Sequence, residues 1–100
     1  MTKNYIDKLN KAFESRVRLG LMSVLAVNDR ADFNMLKEML SITDGNLASH
    51  ISALEKEGYL VIHKQFIGKK PNTSYSISKP GKRAFNEHLE ALEEILKQTK

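Results

Sequence analysis

Five polar side chains of short or moderate length lie close together in the middle of the sequence and could form hydrogen bonds to a ligand. They are Thr43, Asp44, Asn46, Ser49 and His50. Hydroxyl groups bond to phosphates or to either type of base, and an asparagine amide can pair with adenine through two hydrogen bonds. The pattern therefore predicts a surface suited to a nucleic acid. A carboxylate at Asp44 is repelled by phosphate unless it accepts from a cytosine amino group, so we interpret Asp44 as a helix cap.

A second group of polar residues follows a glycine further along the chain. The residues are Gly68, Lys69, Lys70, Asn72 and Thr73, and Pro71 lies among them. A turn of this composition cannot bury an apolar face, and it presents two adjacent ammonium groups. We expect the two lysines to contact phosphate, although lysine-rich turns also occur simply because they keep a protein soluble.

Charge is distributed unevenly along a chain whose formal net charge is +4. Residues 56–83 contain seven basic residues and one acidic residue, whereas residues 84–100 contain four glutamates and two lysines. This asymmetry favours one surface for a polyanion and another for a different task, and the alternative is an ordinary solvated surface.

The spacing of apolar residues predicts the elements that position these side chains. A short amphipathic helix through Tyr5 and Phe13 precedes a core helix from about Arg16 to Val27 that Ser15 can cap. A third helix follows a cap at Asp32 or Asn34.

The second half of the chain predicts a helix, a hairpin and a further helix. The turn at residues 41–45 leads into a helix with Leu47, Ile51 and Leu54 on one face, which ends at Gly58. Residues 60–67 and 75–77 are rich in β-branched and aromatic residues, and the basic turn at residues 68–72 separates them. A last amphipathic helix begins near Pro80.

This order of elements predicts a single domain, residues 1–100, that is mainly α with a small β-hairpin wing: a winged helix-turn-helix. The second helix of the helix-turn-helix, the recognition helix, can enter a major groove about 12 Å wide, while the wing reaches phosphates or the minor groove. The expected partner is therefore double-stranded DNA.

The sequence also resembles the stand-alone winged-helix regulators of bacteria and archaea, relatives of the MarR group. The matching segments are Arg16-Val17-Arg18-Leu19, Thr43-Asp44-Gly45-Asn46-Leu47, His50-Ile51, Leu54-Glu55, Gly58-Tyr59, Phe66-x-Gly68-Lys69-Lys70-Pro71-x-Thr73, Tyr75-x-Ile77-Ser78 and Gly81-Lys82-Arg83-Ala84-Phe85. The resemblance implies a homodimeric transcriptional regulator that binds DNA through its recognition helix and wing and dimerises through its terminal helices. The predicted DNA contacts are Arg16, Thr43, Asn46, Ser49, His50, Lys64, Lys69, Lys70, Asn72 and Thr73.

The terminal segments carry more apolar surface than one small core should need. The predicted dimer interface comprises Tyr5, Leu9, Phe13, Phe85, Leu89, Leu92, Ile95 and Leu96. Part of this stripe could instead cover the core of the chain itself.

Other functions are less well supported by the sequence. The three histidines, His50, His63 and His88, have no metalloprotease spacing, and no nucleophile, base and orienting residue can be assembled, so we expect no enzyme. A metal- or ligand-responsive repressor, with His88 beside Glu87 or Glu93, and a module that binds only proteins remain alternatives. We expect no metal and no cofactor, and the sequence identifies no small-molecule effector.

Composition and the first residues of the chain indicate a compartment. The chain has no cysteine, no apolar run of about 20 residues and no secretion signal in residues 1–11. We therefore expect a cytoplasmic protein that is not embedded in a membrane.

Overall fold

The computed structural model of the chain describes residues 5–98. In chain order the elements are two short 3-10 helices (Tyr5–Lys8 and Lys11–Phe13), α1 (Arg16–Val27), β1 (Ala31–Asp32), α2 (Phe33–Leu40), α3 (Asp44–Lys56), β2 (Leu60–Ile67), β3 (Lys70–Ile77) and α4 (Lys79–Gln98). The predicted architecture, mainly helical with a β-hairpin between the last two helices, is confirmed.

Side-chain caps determine where the middle helices begin. The Ser15 hydroxyl accepts from the Arg18 backbone N–H and caps α1, as predicted. Asp32 rather than Asn34 caps α2, with a carboxylate oxygen 2.8 Å from the Met35 nitrogen. Each cap satisfies a backbone donor that the first turn of a helix leaves without a partner.

The turn between α2 and α3 is stabilised by backbone hydrogen bonds. Ser41 adopts a left-handed conformation (φ 52°), and its N–H bonds to the Glu38 carbonyl. The N–H of Ile42 bonds to the Lys37 carbonyl, which completes the end of α2. The chain thus reverses within a few residues and leads directly into α3.

The sheet has three antiparallel strands in the order β1-β3-β2. Strand β1, which the sequence did not predict, pairs Ala31 with Tyr75 and Asp32 with Ser74. A two-residue strand carries no periodic pattern of its own and exists because β3 offers it a free edge.

The N-terminal segment is not one amphipathic helix, as predicted, but two short 3-10 helices separated at Asn10. The Asn10 side-chain oxygen accepts from the Ala12 N–H, while its backbone N–H donates to Nδ1 of His88 in α4. These bonds compete with the hydrogen bonding of a continuous helix.

Helix α4 begins beside the end of α3. The Ser78 hydroxyl accepts from the Gly81 N–H and donates to the Gly58 carbonyl, so it links the start of α4 to the segment that follows α3. Pro80 is the second residue of α4, where its missing N–H costs no helical hydrogen bond.

One apolar core joins the helices to the sheet. Its fully buried residues are Leu21, Met22, Leu25, Leu36, Leu47 and Leu54. Phe13 and Phe85 also belong to it, at 2% and 5% exposure, and their rings meet edge to face 5.6 Å apart. Both were predicted in the dimer interface, yet their contacts are made inside one chain. Within residues 5–98, no helix is long and apolar enough to cross a membrane.

Candidate nucleic-acid interface

The exposed face of α3 begins at its cap. Thr43, not Asp44, is the N-cap: its hydroxyl accepts from the Asn46 N–H at 3.3 Å. The cap interpretation of Asp44 was therefore wrong. Asp44 is the first helical residue, and its carboxylate pairs with the Lys37 ammonium of α2 at 2.7 Å. This pairing offsets a negative charge that would otherwise repel phosphate.

Small and polar side chains cover the part of α3 that points to solvent. Gly45, Ala48, Ser49 and Ser52 are exposed and recur at the spacing of one helix face. A Cβ added at Gly45 would meet no atom within 4 Å. Asn46 is exposed beside this face, and its side-chain amide has no hydrogen-bond partner among residues 5–98. A flat or grooved partner can therefore approach the helix closely.

His50 is held by an arginine that the sequence did not place in the site. The Nε–H of Arg18 in α1 donates to His50 Nδ1 at 3.1 Å. Burial, and second the charge of Arg18, lower the pKa of His50. Because the guanidinium is always protonated, Nδ1 must be the acceptor, so His50 is neutral and carries its proton on Nε2. His50 thus offers a single N–H donor on its other nitrogen.

Strands β2 and β3 form a wing with a very short turn. Ile67 pairs with Lys70, so the turn comprises Gly68 and Lys69 alone, not the predicted five residues. Gly68 has φ 65° whereas Lys69 does not have a positive φ, the pattern expected of a type II′ hairpin turn. Lys69 is therefore in the turn and Lys70 opens β3, and both are exposed.

The other predicted wing residues lie along the paired strands. Lys64 is exposed and pairs with Thr73, while Gln65 pairs with the half-buried Asn72. Arg16, which is exposed at the start of α1, lies beside the turn between α2 and α3 and lines a shallow depression with Ser41 and Ile42. The structure thus places basic groups on the wing and beside the start of α3.

A stripe of leucines along α4 is exposed at a different part of the molecule. Leu89, Leu92 and Leu96 are 44%, 37% and 71% exposed and recur at i, i+3 and i+7. Ile95, Tyr5 and Leu9 are half-buried. Because Phe13 and Phe85 lie in the core, the three exposed leucines and these three half-buried residues are the part of the predicted interface that remains accessible.

The groove between the N-terminal segment and α4 differs in charge from the wing. Four glutamates, Glu87, Glu90, Glu93 and Glu94, line it together with Asp7, Lys8 and Lys11. An acidic lining disfavours a polyanion at this groove.

His88 is a buried residue that is held by aromatic and hydrogen-bond contacts. It is 6% exposed, and Phe13 contacts its ring edge to face with centroids 5.3 Å apart. Its Nδ1 accepts from the Asn10 N–H at 3.0 Å, and the Asn10 side chain donates to the Tyr59 hydroxyl at 2.9 Å. Within residues 5–98, no group of three histidine, aspartate or glutamate side chains is placed to hold a metal ion. Glu87 and Glu93 are exposed, whereas His88 is buried.

Burial of His88 predicts a loss of stability in mild acid. Burial lowers the pKa of His88 below its ordinary value of 6.5, so the unfolded chain binds a proton more readily than the folded chain. This stabilisation is present above about pH 6.5 and is lost as the pH falls toward the folded pKa. The free energy of unfolding from urea titrations should therefore decrease between about pH 7 and about pH 5.5.

His88→Asn keeps an acceptor for the Asn10 N–H and removes the titrating group. The variant should show a weaker dependence on pH over the same range, whatever its absolute stability. An equal dependence in both proteins would assign the effect to another group, such as His50, whose pKa is also lowered.

Comparison with known proteins agrees with this geometry. Residues 17–96 match the family described as winged helix DNA-binding domain. An uncharacterised protein of Methanocaldococcus jannaschii, MJ0432, is 35% identical over 79 residues, which are 79% of this chain and 86% of that protein.

Solved structures show the same fold. The transcriptional regulator homologue protein from Pyrococcus horikoshii superposes with a TM-score of 0.78 at 28% identity, covering 94% of this chain and 98% of its own. Staphylococcus aureus MepR, solved in complex with DNA, gives 0.77 at 11% identity, covering 94% of this chain and 77% of its own. The resemblance found in the sequence is confirmed, and this fold is one of DNA-binding regulators rather than of enzymes.

Proposed function

Because this chain belongs to the winged helix DNA-binding domain family, we propose that it is a transcriptional regulator that recognises specific sequences in duplex DNA as a homodimer. In this proposal α3 lies in the major groove, the β2–β3 wing contacts the backbone or the minor groove, and α4 pairs with a second copy. The observation that carries the proposal is the exposed, polar first half of α3 beside a wing that bears Lys64, Lys69 and Lys70.

The first turn of α3 suits the edge of a major groove. A helix N-terminus attracts phosphate oxygens through its free N–H groups and its dipole. Asn46 and Ser49 project from the first two turns, and the small residues Gly45 and Ala48 beside them let the helix backbone approach the bases. These features support base contact by α3.

The hydrogen bond between Arg18 and His50 limits the base-edge atoms to which His50 can bond. With Nδ1 occupied by Arg18, the Nε2–H of His50 can donate to purine N7, guanine O6 or thymine O4 but cannot accept from a cytosine amino group. Arg18 keeps further N–H groups, so we add it to the residues proposed to bind phosphate.

Alanine substitutions at Asn46, Ser49 and His50 test base recognition. Each should weaken binding to the preferred sequence by roughly 1 to 3 kcal/mol and relax the preference at particular base pairs. Selection of randomised duplexes by each variant measures the second effect. Ser23→Ala is the control, because that exposed hydroxyl bonds to the Leu19 carbonyl of its own helix. Uniform weakening on all sequences would mean that these residues contact phosphate instead.

Alanine substitution of both Lys69 and Lys70 tests backbone contact by the wing. The double variant should bind all sequences about equally more weakly, and the slope of log affinity against log salt concentration should fall by roughly 2, about 0.9 per lost phosphate contact. Fluorescence anisotropy at several salt concentrations gives the slope. Replacing both lysines with arginine keeps the charge and should keep the slope. An unchanged slope in the alanine variant would place the lysines away from DNA.

The exposed leucines of α4 support dimerisation through this helix. One winged helix contacts few base pairs, so two copies reading half-sites about one helical turn apart, ~34 Å, gain the specificity that a regulator needs. The stripe of Leu89, Leu92 and Leu96 offers an apolar surface for this pairing.

Selection of genomic fragments by the purified protein tests the proposal as a whole. We expect the selected fragments to share a sequence with two-fold symmetry, retarded in gels at nanomolar to micromolar protein. If no fragment is retarded even at low salt, the fold serves protein contacts in this chain.

A further inference from the structure

The wing carries two large apolar side chains close to its turn. Phe66 is 74% exposed and Ile67 is 62% exposed, and both precede Gly68 directly. The core lies at the other end of the hairpin, where Leu60 is buried. Covering the Phe66 side chain with a partner would remove apolar surface from water, which is favourable.

The strand register fixes the side on which Phe66 projects. Side chains alternate along a strand, so Phe66 and Lys64 share the face on which Leu60 and Ile62 meet the core. Phe66 pairs with Pro71 across the hairpin, about 13 Å beyond Ile62 along β2. It therefore extends the inner face of the wing past the end of the core.

Charge around Phe66 identifies the kind of partner. The segment from Gly58 to Asn86 contains no aspartate or glutamate. Lys64 shares the face of Phe66, Lys69 lies in the turn, and Lys70, which pairs with Ile67, projects on the opposite face. An apolar side chain on a strand that carries ammonium groups on both faces matches the minor groove of DNA, whose walls are sugars and whose rims are phosphates. A protein surface would need acidic groups around an apolar pocket to match it equally well.

We propose that Phe66 is an apolar wedge that the wing inserts into the minor groove, where it packs against sugars and a base step. Lys64 on the face of Phe66 and Lys70 on the opposite face bind the phosphates of the two groove walls, and Lys69 binds a phosphate near the turn. This inference rests on the proposed function and adds a second source of specificity. A wedge favours base-pair steps that unstack at low cost, such as TA and CA. The wing would therefore bind more tightly to DNA sequences that bend easily.

A tryptophan reporter tests the inference directly. The chain contains no tryptophan, so Phe66→Trp introduces a single indole at the proposed wedge. Saturating duplex should shift its emission to the blue and reduce quenching by acrylamide severalfold. Val61→Trp is the matched control on the same strand, at a position that is 41% exposed on the opposite face. Its emission should not change.

Affinity and bending provide the second measurement. Phe66→Ser should weaken binding about 10- to 100-fold, in line with the lost burial of a phenylalanine side chain, and should reduce the bend seen with circularly permuted fragments. Replacing G·C by inosine·C under the wing removes only the minor-groove amino group, and it should strengthen binding of the wild-type protein.

The outcomes separate the wedge from the function on which it rests. If the wild-type protein binds DNA but the indole of the Phe66→Trp variant remains as open to acrylamide on duplex as in the free protein, the wedge is overturned and the regulator stands. The apolar turn would then be available to a protein. If the wild-type protein binds no duplex, both proposals fall.

Discussion

Leu92→Glu is expected to yield a folded monomer that binds its DNA site at least about 100-fold more weakly than the wild-type protein. The substitution adds a carboxylate to the middle of the exposed stripe on α4, where Leu92 is 37% exposed in the single chain. In a two-fold interface the charge appears twice and is desolvated without a partner, which costs several kcal/mol. The monomer keeps its fold because its core does not depend on Leu92.

Sedimentation equilibrium at micromolar protein measures the first part of this expectation. The variant should behave as a single chain of 11.4 kDa, and the wild-type protein as twice that mass. Gln98→Glu adds the same charge to an exposed polar position of the same helix and should remain dimeric. A Leu92→Glu protein that stays dimeric would move the interface away from the stripe, and a monomeric wild-type protein would remove the dimer from the proposal.

Gly81→Ala should destabilise the fold by about 3 kcal/mol, an effect as large as a cavity in the core. A Cβ at this position would overlap the carbonyl oxygen of Tyr59 and lie 2.8 Å from its carbonyl carbon. Both are backbone atoms and cannot turn aside, so α4 would have to move away from the end of α3. In a domain of this size, each kcal/mol lowers Tm by about 4–8 °C.

The same chemical change at Gly45 is the control. Gly45 lies in the first turn of α3, and a Cβ there meets no atom within 4 Å. Gly45→Ala should therefore stabilise the helix by up to about 1 kcal/mol. Thermal unfolding of both variants gives the comparison. Similar Tm values for the two would mean that α4 adjusts without cost and that the close contact does not fix its position.

The helices were predictable because their signals are local. Ser15 and the apolar spacing after it locate α1, and Leu47, Ile51 and Leu54 locate α3. Strand β1 was missed because its hydrogen bonds come from Tyr75 and its neighbours, far away in the sequence. A local sequence pattern cannot predict pairing between residues that are this far apart in the chain.

The site was predictable in outline for the same reason. Periodicity assigned Asn46, Ser49 and the wing lysines to the surface, and the structure leaves them exposed. It missed Arg18, whose partner His50 is 32 residues away. It also grouped Phe85 with Leu89 and Leu92, because spacing shows which residues share a helix face and not which of them the chain itself covers.

Helix α4 is long enough that a small change in its angle moves the rest of the molecule by several ångströms. The described residues extend 60 Å along one axis and 25 Å and 21 Å along the others, and the 20 residues of α4 span about 30 Å. In the proposed dimer the leucines of the C-terminal half of α4 contact the second copy, while Gly81 at the start of the helix packs against Tyr59. A change of about 10° in the angle at which two such helices cross displaces each recognition helix by roughly 5 Å, more than the ~3.4 Å rise of one base pair. In that proposed dimer, side-chain volume at Leu89, Leu92 and Leu96 would set the distance between half-sites from a helix other than the one proposed to contact the bases.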